Sequence, residues 1–174
     1  MRFKTLLTTL LLACCAVRPA IAADAIVADE SAVEAAFLYN FALFTEWPAL
    51  PADEFRICVL GSDPVLAALE SVKKKQLKQH PINVVDISSA SQAQSCQVLF
   101  VGKSEHASIG NLAKIIGNAP VLVVSEENGY DPKNVIIALV ALQGRIAFKI
   151  NHTAAQASSL TLSSKLLKLA QQVY

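Results

Sequence analysis

The sequence contains few of the residues and motifs on which catalysis and metal binding depend. Its 174 residues include three histidines, four cysteines and six glycines. No histidine has a second ligand residue at metal-site spacing, and the C-x-x-C and G-x-S-x-G motifs are missing. The strand-to-helix turn at Gly61 has one glycine, whereas a phosphate-binding loop needs several. We therefore predict a protein that is not an enzyme and uses neither a metal nor another cofactor.

The sequence also lacks a membrane-spanning segment, although its N-terminus is apolar. Arg2 and Lys4 precede an uncharged apolar stretch at 5–17, which is shorter than the roughly 20 residues that a spanning helix needs. Small residues follow at 20–22. A positive start, a short apolar region and small residues are typical of a secretory signal peptide, so we predict export.

The predicted signal peptide covers residues 1–23, is cleaved after Ala22 or Ala23, and leaves one domain at 24–174. It holds three of the 15 basic residues and none of the 14 acidic ones, so the remaining chain has a net charge of −2. This charge gives no indication of binding to nucleic acid or to an anionic membrane. One alternative stays open, because the residues before Cys14 resemble a lipobox and acylation there would anchor the domain to a membrane.

Cys58 and Cys96 are the two cysteines beyond the predicted signal peptide. In an oxidising compartment, two lone cysteines favour a disulfide over the alternatives of a metal pair or a catalytic thiol. Both cysteines fall at predicted strands, so they could lie side by side. A bridge across a loop of this length stabilises a fold by about 4 kcal/mol in the chain-entropy treatment.

Alternating strands and helices predict the class of fold. β-rich runs predict strands at 55–60, 82–87, 96–102, 120–125, 135–142 and 145–150. Helical patterns predict helices at 31–46, 64–75, 105–117 and from 151 to the end, with a break near 158–159. This order predicts a single three-layer α/β domain, whose mixed, partly parallel sheet ends in an antiparallel C-terminal hairpin and is flanked by helices.

The first predicted helix contains much of the aromatic side-chain area. Ser31 and Glu34 have the spacing of a capping box that starts a helix. A stripe at steps of three and four predicts core packing of Phe37, Leu38, Phe41 and Phe44. Tyr39 and Asn40 lie off this stripe, and Trp47 precedes a proline at the helix exit. We predict Tyr39, Asn40 and Trp47 as partner-binding residues, with core packing as the alternative.

Six segments carry a further pattern that runs along nearly all of the predicted mature chain. They lie at 34–48, 57–64, 96–100, 120–125, 145–151 and 162–170. In this order they resemble the YfiR family, which is a DUF4154-type domain. The first and the last segments are the most specific.

The resemblance implies a periplasmic, non-enzymatic regulator. The type member represses an inner-membrane diguanylate cyclase by binding its periplasmic sensor region. An outer-membrane lipoprotein can sequester that member, so that cyclic-di-GMP and biofilm formation rise. The resemblance also implies a homodimer and a disulfide between Cys58 and Cys96. A second bridge would be absent here, because the predicted mature chain holds one cysteine pair.

A small-ligand-binding module is the rival prediction. Open α/β sheets bind ligands outside the carboxyl ends of their strands. In this chain that position corresponds to the turns at Gly61-Ser62 and Gly102-Lys103.

Overall fold

The computed structural model describes residues 21–127 and 133–174, with side chains from residue 30 onward. Most of the predicted signal peptide, including Cys14, lies outside the described residues, so its cleavage and the lipid anchor remain predictions. Within the described ranges, no helix is long and apolar enough to cross a membrane.

Strands and helices alternate along the middle of the chain. The strands are β1 (Thr45–Glu46), β2 (Phe55–Leu60), β3 (Gln76–Leu77), β4 (His80–Ile87), β5 (Val98–Val101), β6 (Leu122–Glu126), β7 (Ile137–Leu142), β8 (Arg145–Ile150), β9 (Thr161–Leu162) and β10 (Gln172–Val173). The α-helices are α1 (Ile21–Leu43), α2 (Val65–Ala68), α3 (Ile109–Ile116), α4 (His152–Ala157) and α5 (Ser164–Leu169). Turns of 3₁₀-helix cover Leu69–Ser71, Ala90–Ser95 and Lys103–Ser108.

One mixed sheet organises the domain, with the strand order β10-β8-β7-β6-β5-β2-β4-β3. Strands β2, β4, β5, β6 and β7 run parallel, and β8 returns antiparallel to β7. The hairpin turn between β7 and β8 consists of Gln143 and Gly144, both at positive φ, as a tight two-residue turn between twisted strands requires. The predicted partly parallel sheet with its C-terminal antiparallel hairpin is therefore confirmed.

Helices cover both faces of this sheet, which gives the three predicted layers. The face that includes Ile57 packs with α1 and the C-terminal segment around Phe41 and Leu166. The opposite face, which includes Cys58, packs with α3 through Ile109 and Leu112. The central strands are apolar on both faces because both faces are covered.

The predicted helices differ from the structure in extent. The helix predicted at 31–46 starts earlier and ends at Leu43, before β1, and the one predicted at 105–117 begins as the 3₁₀ turn Lys103–Ser108. The segment 64–75 forms only α2 and one 3₁₀ turn, and its start is capped by Asp63, whose Oδ1 accepts the Val65 N–H at 3.0 Å. The C-terminal segment breaks between α4 and α5 at Ser159, whose φ is 57°, as predicted. The strand β9 that follows was not predicted, because it forms by long-range pairing with β1, which helical periodicity does not register.

Candidate functional site

The first candidate feature is the disulfide between Cys58 and Cys96, whose Cα atoms lie 5.9 Å apart. Cys58 lies within β2, and Cys96 follows the 3₁₀ turn Ala90–Ser95 that leads to β5. Both residues are buried in the core beside α3. The bridge that the sequence favours is thus present, and it ties the segment before β5 to the centre of the sheet.

The second feature is a small cleft at the carboxyl edge of the parallel strands. We call it the acidic cleft. It has a volume of about 140 Å³ and is lined by Glu30, Glu34, Glu126, Glu127, Leu139, Val140, Ala141 and Ile146. Helix α1 forms one wall, the end of β6 forms the second, and β7 with β8 forms the third.

Glu34 is the buried acid of this cleft. It is 6% exposed, and burial is the main reason that its pKa rises from 4.5 to about 7. The negative charges of Glu126, Asp63 and Glu30 raise the pKa of Glu34 further, whereas Lys103 lowers it. The Glu34 carboxyl therefore keeps its proton to a higher pH than an exposed glutamate does.

A lysine neutralises each of the two acids at the end of β6. Lys103 Nζ lies 3.1 Å from Glu126 Oε2, and this hydrogen bond raises the pKa of Lys103. Lys149, on β8, pairs with Glu127. The charges of Glu126 and Glu127 are thus balanced by the two lysines, whereas Glu34 forms no ion pair with the described residues.

An apolar groove adjoins the acidic cleft along α1 and the β7–β8 hairpin. It has a volume of about 530 Å³ and is lined by Glu30, Val33, Phe37, Ala141, Gly144, Arg145 and Ile146. Glu30, Ala141 and Ile146 line both spaces, so the groove and the acidic cleft lie side by side.

The turns predicted for ligand binding are packed against each other instead of being open. A Cβ on Gly61 would lie 2.6 Å from Ser104 Oγ, and a Cβ on Gly102 would lie 3.1 Å from the Asp63 side chain. The Gly102 N–H also donates to the Leu60 carbonyl at 2.9 Å. Open space at this edge of the sheet therefore lies further along, in the acidic cleft beside β6.

The predicted partner-binding residues have three different environments. Asn40 is exposed, and its amide donates to the carbonyl of Ala36 one turn earlier at 2.9 Å. Tyr39 is half-buried, with the Lys75 ammonium 4.6 Å from its ring centroid. Trp47 is half-buried against Phe55, at a centroid distance of 5.1 Å.

Two buried nitrogen atoms lack hydrogen-bond partners in the described structure. They are Nε1 of Trp47 and Nε2 of His106. Sequence reasoning gave no indication of either, because a side chain's hydrogen-bond partners depend on tertiary packing. In the same described ranges, no group of three histidine, cysteine or acidic side chains could hold a metal ion.

The sequence predicted Glu34 as part of a helix cap and did not predict that it lines the acidic cleft. Helix α1 begins before Ser31, so the predicted capping box does not mark its start. The spacing of Glu34, Leu38 and Phe41 carried the missed information, because steps of four and three place all three on one buried face.

Comparisons with solved structures support this architecture. A conserved domain protein from Vibrio cholerae O1 biovar El Tor strain N16961 is similar with a TM-score of 0.57 and 14% identity, over 83% of this chain and 60% of that one. An ABC domain from Streptococcus pneumonia, solved in complex with L-Trp, is similar with a TM-score of 0.50 and 12% identity, over 69% and 55%. At these identities the likeness concerns the fold, and the chain spans less than two thirds of either protein.

The fold and its buried bridge define a disulfide-linked three-layer α/β domain with an acidic cleft at one sheet edge. The DUF4154 family, described as YfiR/HmsC-like, matches residues 31–171. The chain therefore belongs to the YfiR/HmsC-like family. Membership of this regulatory family indicates a periplasmic regulator of cyclic-di-GMP signalling. Comparison with curated proteins gives no match.

Proposed function

We propose that the protein binds the periplasmic sensor region of an inner-membrane signalling protein, most directly a diguanylate cyclase, and holds it inactive. The observation that carries this proposal is the family match over residues 31–171, which takes in both cores and every strand of the sheet except β10. The buried disulfide is consistent with an oxidising compartment. The proposal includes export through the predicted signal peptide at 1–23.

Deletion of the gene tests the repressor role. We expect cyclic-di-GMP and biofilm to rise in the deletion strain and to return to the original level on complementation. An unchanged cyclic-di-GMP level would rule out repression of a cyclase, and binding to another membrane sensor would then be sought by crosslinking in the periplasm.

The binding surface includes Asn40, Tyr39 and Trp47 in this proposal. Asn40 offers the cleanest test because it is exposed and its amide bonds within its own helix. We expect Asn40→Lys to weaken co-purification of the sensor region without changing the melting temperature. Asn111→Lys on α3 is the matched control, since Asn111 is exposed on a helix that covers the other face of the sheet.

The proposal also includes a homodimer and sequestration by an outer-membrane lipoprotein. Leu169 on α5 is a suitable position for testing the homodimer, because it has the highest exposed fraction, 70%, of the exposed large apolar side chains in the described part of the chain. We expect Leu169→Lys to shift the mass in light scattering from dimer to monomer, with Lys165→Ala as control. Pull-down from outer-membrane extracts tests the lipoprotein.

A further inference from the structure

Glu34 is a buried acid that lines the acidic cleft. It is 6% exposed, and it forms no hydrogen bond or ion pair with the residues that the structure describes. Burial disfavours the charged form of such a carboxyl, and a cationic partner favours it. Glu34 also lines the acidic cleft, so its carboxyl faces a space that a ligand can enter.

Charge in and around the cleft favours a cation as the occupant. Glu126 and Glu127 are paired with Lys103 and Lys149, whereas Glu34 has no counter-charge of its own in the described structure. The neighbouring Glu30 and Asp63 add negative potential at Glu34, and Lys103 offsets only part of it.

The side chains that line the acidic cleft and the apolar groove favour, as ligand, an organic cation with an apolar body. A metal ion is disfavoured because no three potential ligands come together in the described part of the chain. The neighbouring groove is lined by the apolar side chains of Val33, Phe37 and Ile146 and also by Arg145. Its volume of about 530 Å³ is in the range of small-molecule sites.

We propose that the acidic cleft and the apolar groove form one binding site for a protonated primary amine that carries an apolar body, with the Glu34 carboxylate receiving the ammonium group. An ammonium offers three donors and is compact enough for the narrow cleft. The apolar body lies in the groove between α1 and the hairpin. This site is separate from the sensor-binding role proposed above and stands without it.

The elevated pKa of Glu34, about 7, gives the site a pH signature. An ammonium favours the ionised carboxylate, so affinity should rise between pH 6 and pH 8 and binding should release protons. The other charged groups that face Glu34 or line the groove are Glu30, Asp63, Lys103, Glu126, Glu127 and Arg145.

Calorimetry with 2-phenylethylamine and 2-phenylethanol on the purified exported protein tests the site without any variant. The two probes share an apolar body and differ in the ammonium group. We expect the amine to bind at least about tenfold more tightly at pH 8 and to release protons on binding. Equal binding of both probes, or no saturable binding of the amine, would overturn the proposal.

Variants at Glu34 identify the receiving residue. Glu34→Gln keeps the side-chain size and should weaken amine binding about tenfold or more and remove its pH dependence, while 2-phenylethanol binding is unchanged. Glu34→Asp, which keeps the charge, should retain the preference for the amine. Glu46→Gln, an exposed acid beyond the end of α1, is the matched control. Unchanged amine binding by a folded Glu34→Gln protein would exclude Glu34 from the site.

Discussion

Glu34 lies one helical turn before Leu38 on the buried face of α1, so a carboxyl continues the apolar stripe that attaches this helix to the sheet. The two side chains share one environment but differ in what burial costs them. For Leu38 burial is favourable, whereas for the ionised form of Glu34 it is unfavourable.

The pH dependence of stability follows from Glu34. Its pKa is raised from 4.5 to about 7 on folding, so between these values the folded state holds a proton that the unfolded chain releases. The free energy of unfolding therefore falls as pH rises from about 4.5 to about 7. Above about pH 7 the effect of Glu34 on stability no longer changes with pH. We expect Glu34→Gln to remove the decline and to add roughly 2 kcal/mol at pH 8, after allowance for screening in the cleft.

Urea unfolding at pH 5 and pH 8 measures this effect. Glu46→Gln should follow the parent protein at both values, because Glu46 is exposed. If Glu34→Gln and the parent show the same change in unfolding free energy between the two pH values, then Glu34 is not the buried acid that we describe.

The strands of the central sheet could be predicted because each is a β-rich apolar run of suitable length. The short strands β1 and β9 were harder to predict, since they pair with each other from distant parts of the chain and no local pattern encodes that pairing. Thr45 pairs there with Leu162. The C-terminal segment breaks near 158–159 as predicted, but Leu162, which the leucine spacing placed in a helix, lies in β9.

The candidate site was predicted less well than the fold. The two cysteines could be paired from their number and compartment alone. The acidic cleft could not be found in this way, because Glu34, Glu126 and Ile146 come from three distant segments. Sequence spacing placed Glu34 in a capping box, and only the earlier start of α1 shows why that interpretation fails.

Loss of the disulfide should weaken the whole domain. Cys58→Ser removes the covalent link between β2 and the segment before β5, at a site where both residues are 1% exposed. We expect a loss of about 2–5 kcal/mol, or a melting temperature lower by roughly 5–15 °C. Thermal unfolding with and without reductant measures it.

The double variant Cys58→Ala and Cys96→Ala is the control for this experiment. It should melt well below the parent and show no further response to reductant. A parent protein whose melting temperature does not respond to full reduction under denaturing and refolding conditions would contradict a stabilising bridge.

Trp47 allows packing to be separated from partner binding. Its ring meets Phe55 edge-on, while its buried Nε1 has no acceptor among the described residues. Trp47→Phe keeps an aromatic ring and removes the unsatisfied donor, so we expect stability to change by less than about 1 kcal/mol. Trp47→Ala should cost roughly 2–3 kcal/mol, because the side chain is only partly buried.

Co-purification of the sensor region completes the test of Trp47. If Trp47 contacts the partner, Trp47→Phe should reduce capture although the domain keeps its melting temperature. Full capture by Trp47→Phe would confine Trp47 to the packing against Phe55.

Two glycines should respond to alanine in opposite directions. Gly61 has φ +94°, and a Cβ there would lie 2.6 Å from Ser104 Oγ and 2.8 Å from Glu105 Cγ. Gly61→Ala therefore combines an unfavourable backbone conformation with a steric clash, and we expect a loss of about 3 kcal/mol. A loss of this size lowers the melting temperature by roughly 6–12 °C.

Gly110 is the matched control, since it lies within α3 and a Cβ there would meet nothing within 4 Å. Gly110→Ala should raise stability by about 0.5–1 kcal/mol, because alanine restricts the unfolded chain and favours helix. Parallel urea titrations of the two variants measure both effects. Equal effects would show that the turn at Gly61 tolerates a side chain, and the close contact between this turn and the 3₁₀ segment Lys103–Ser108 would then be wrong.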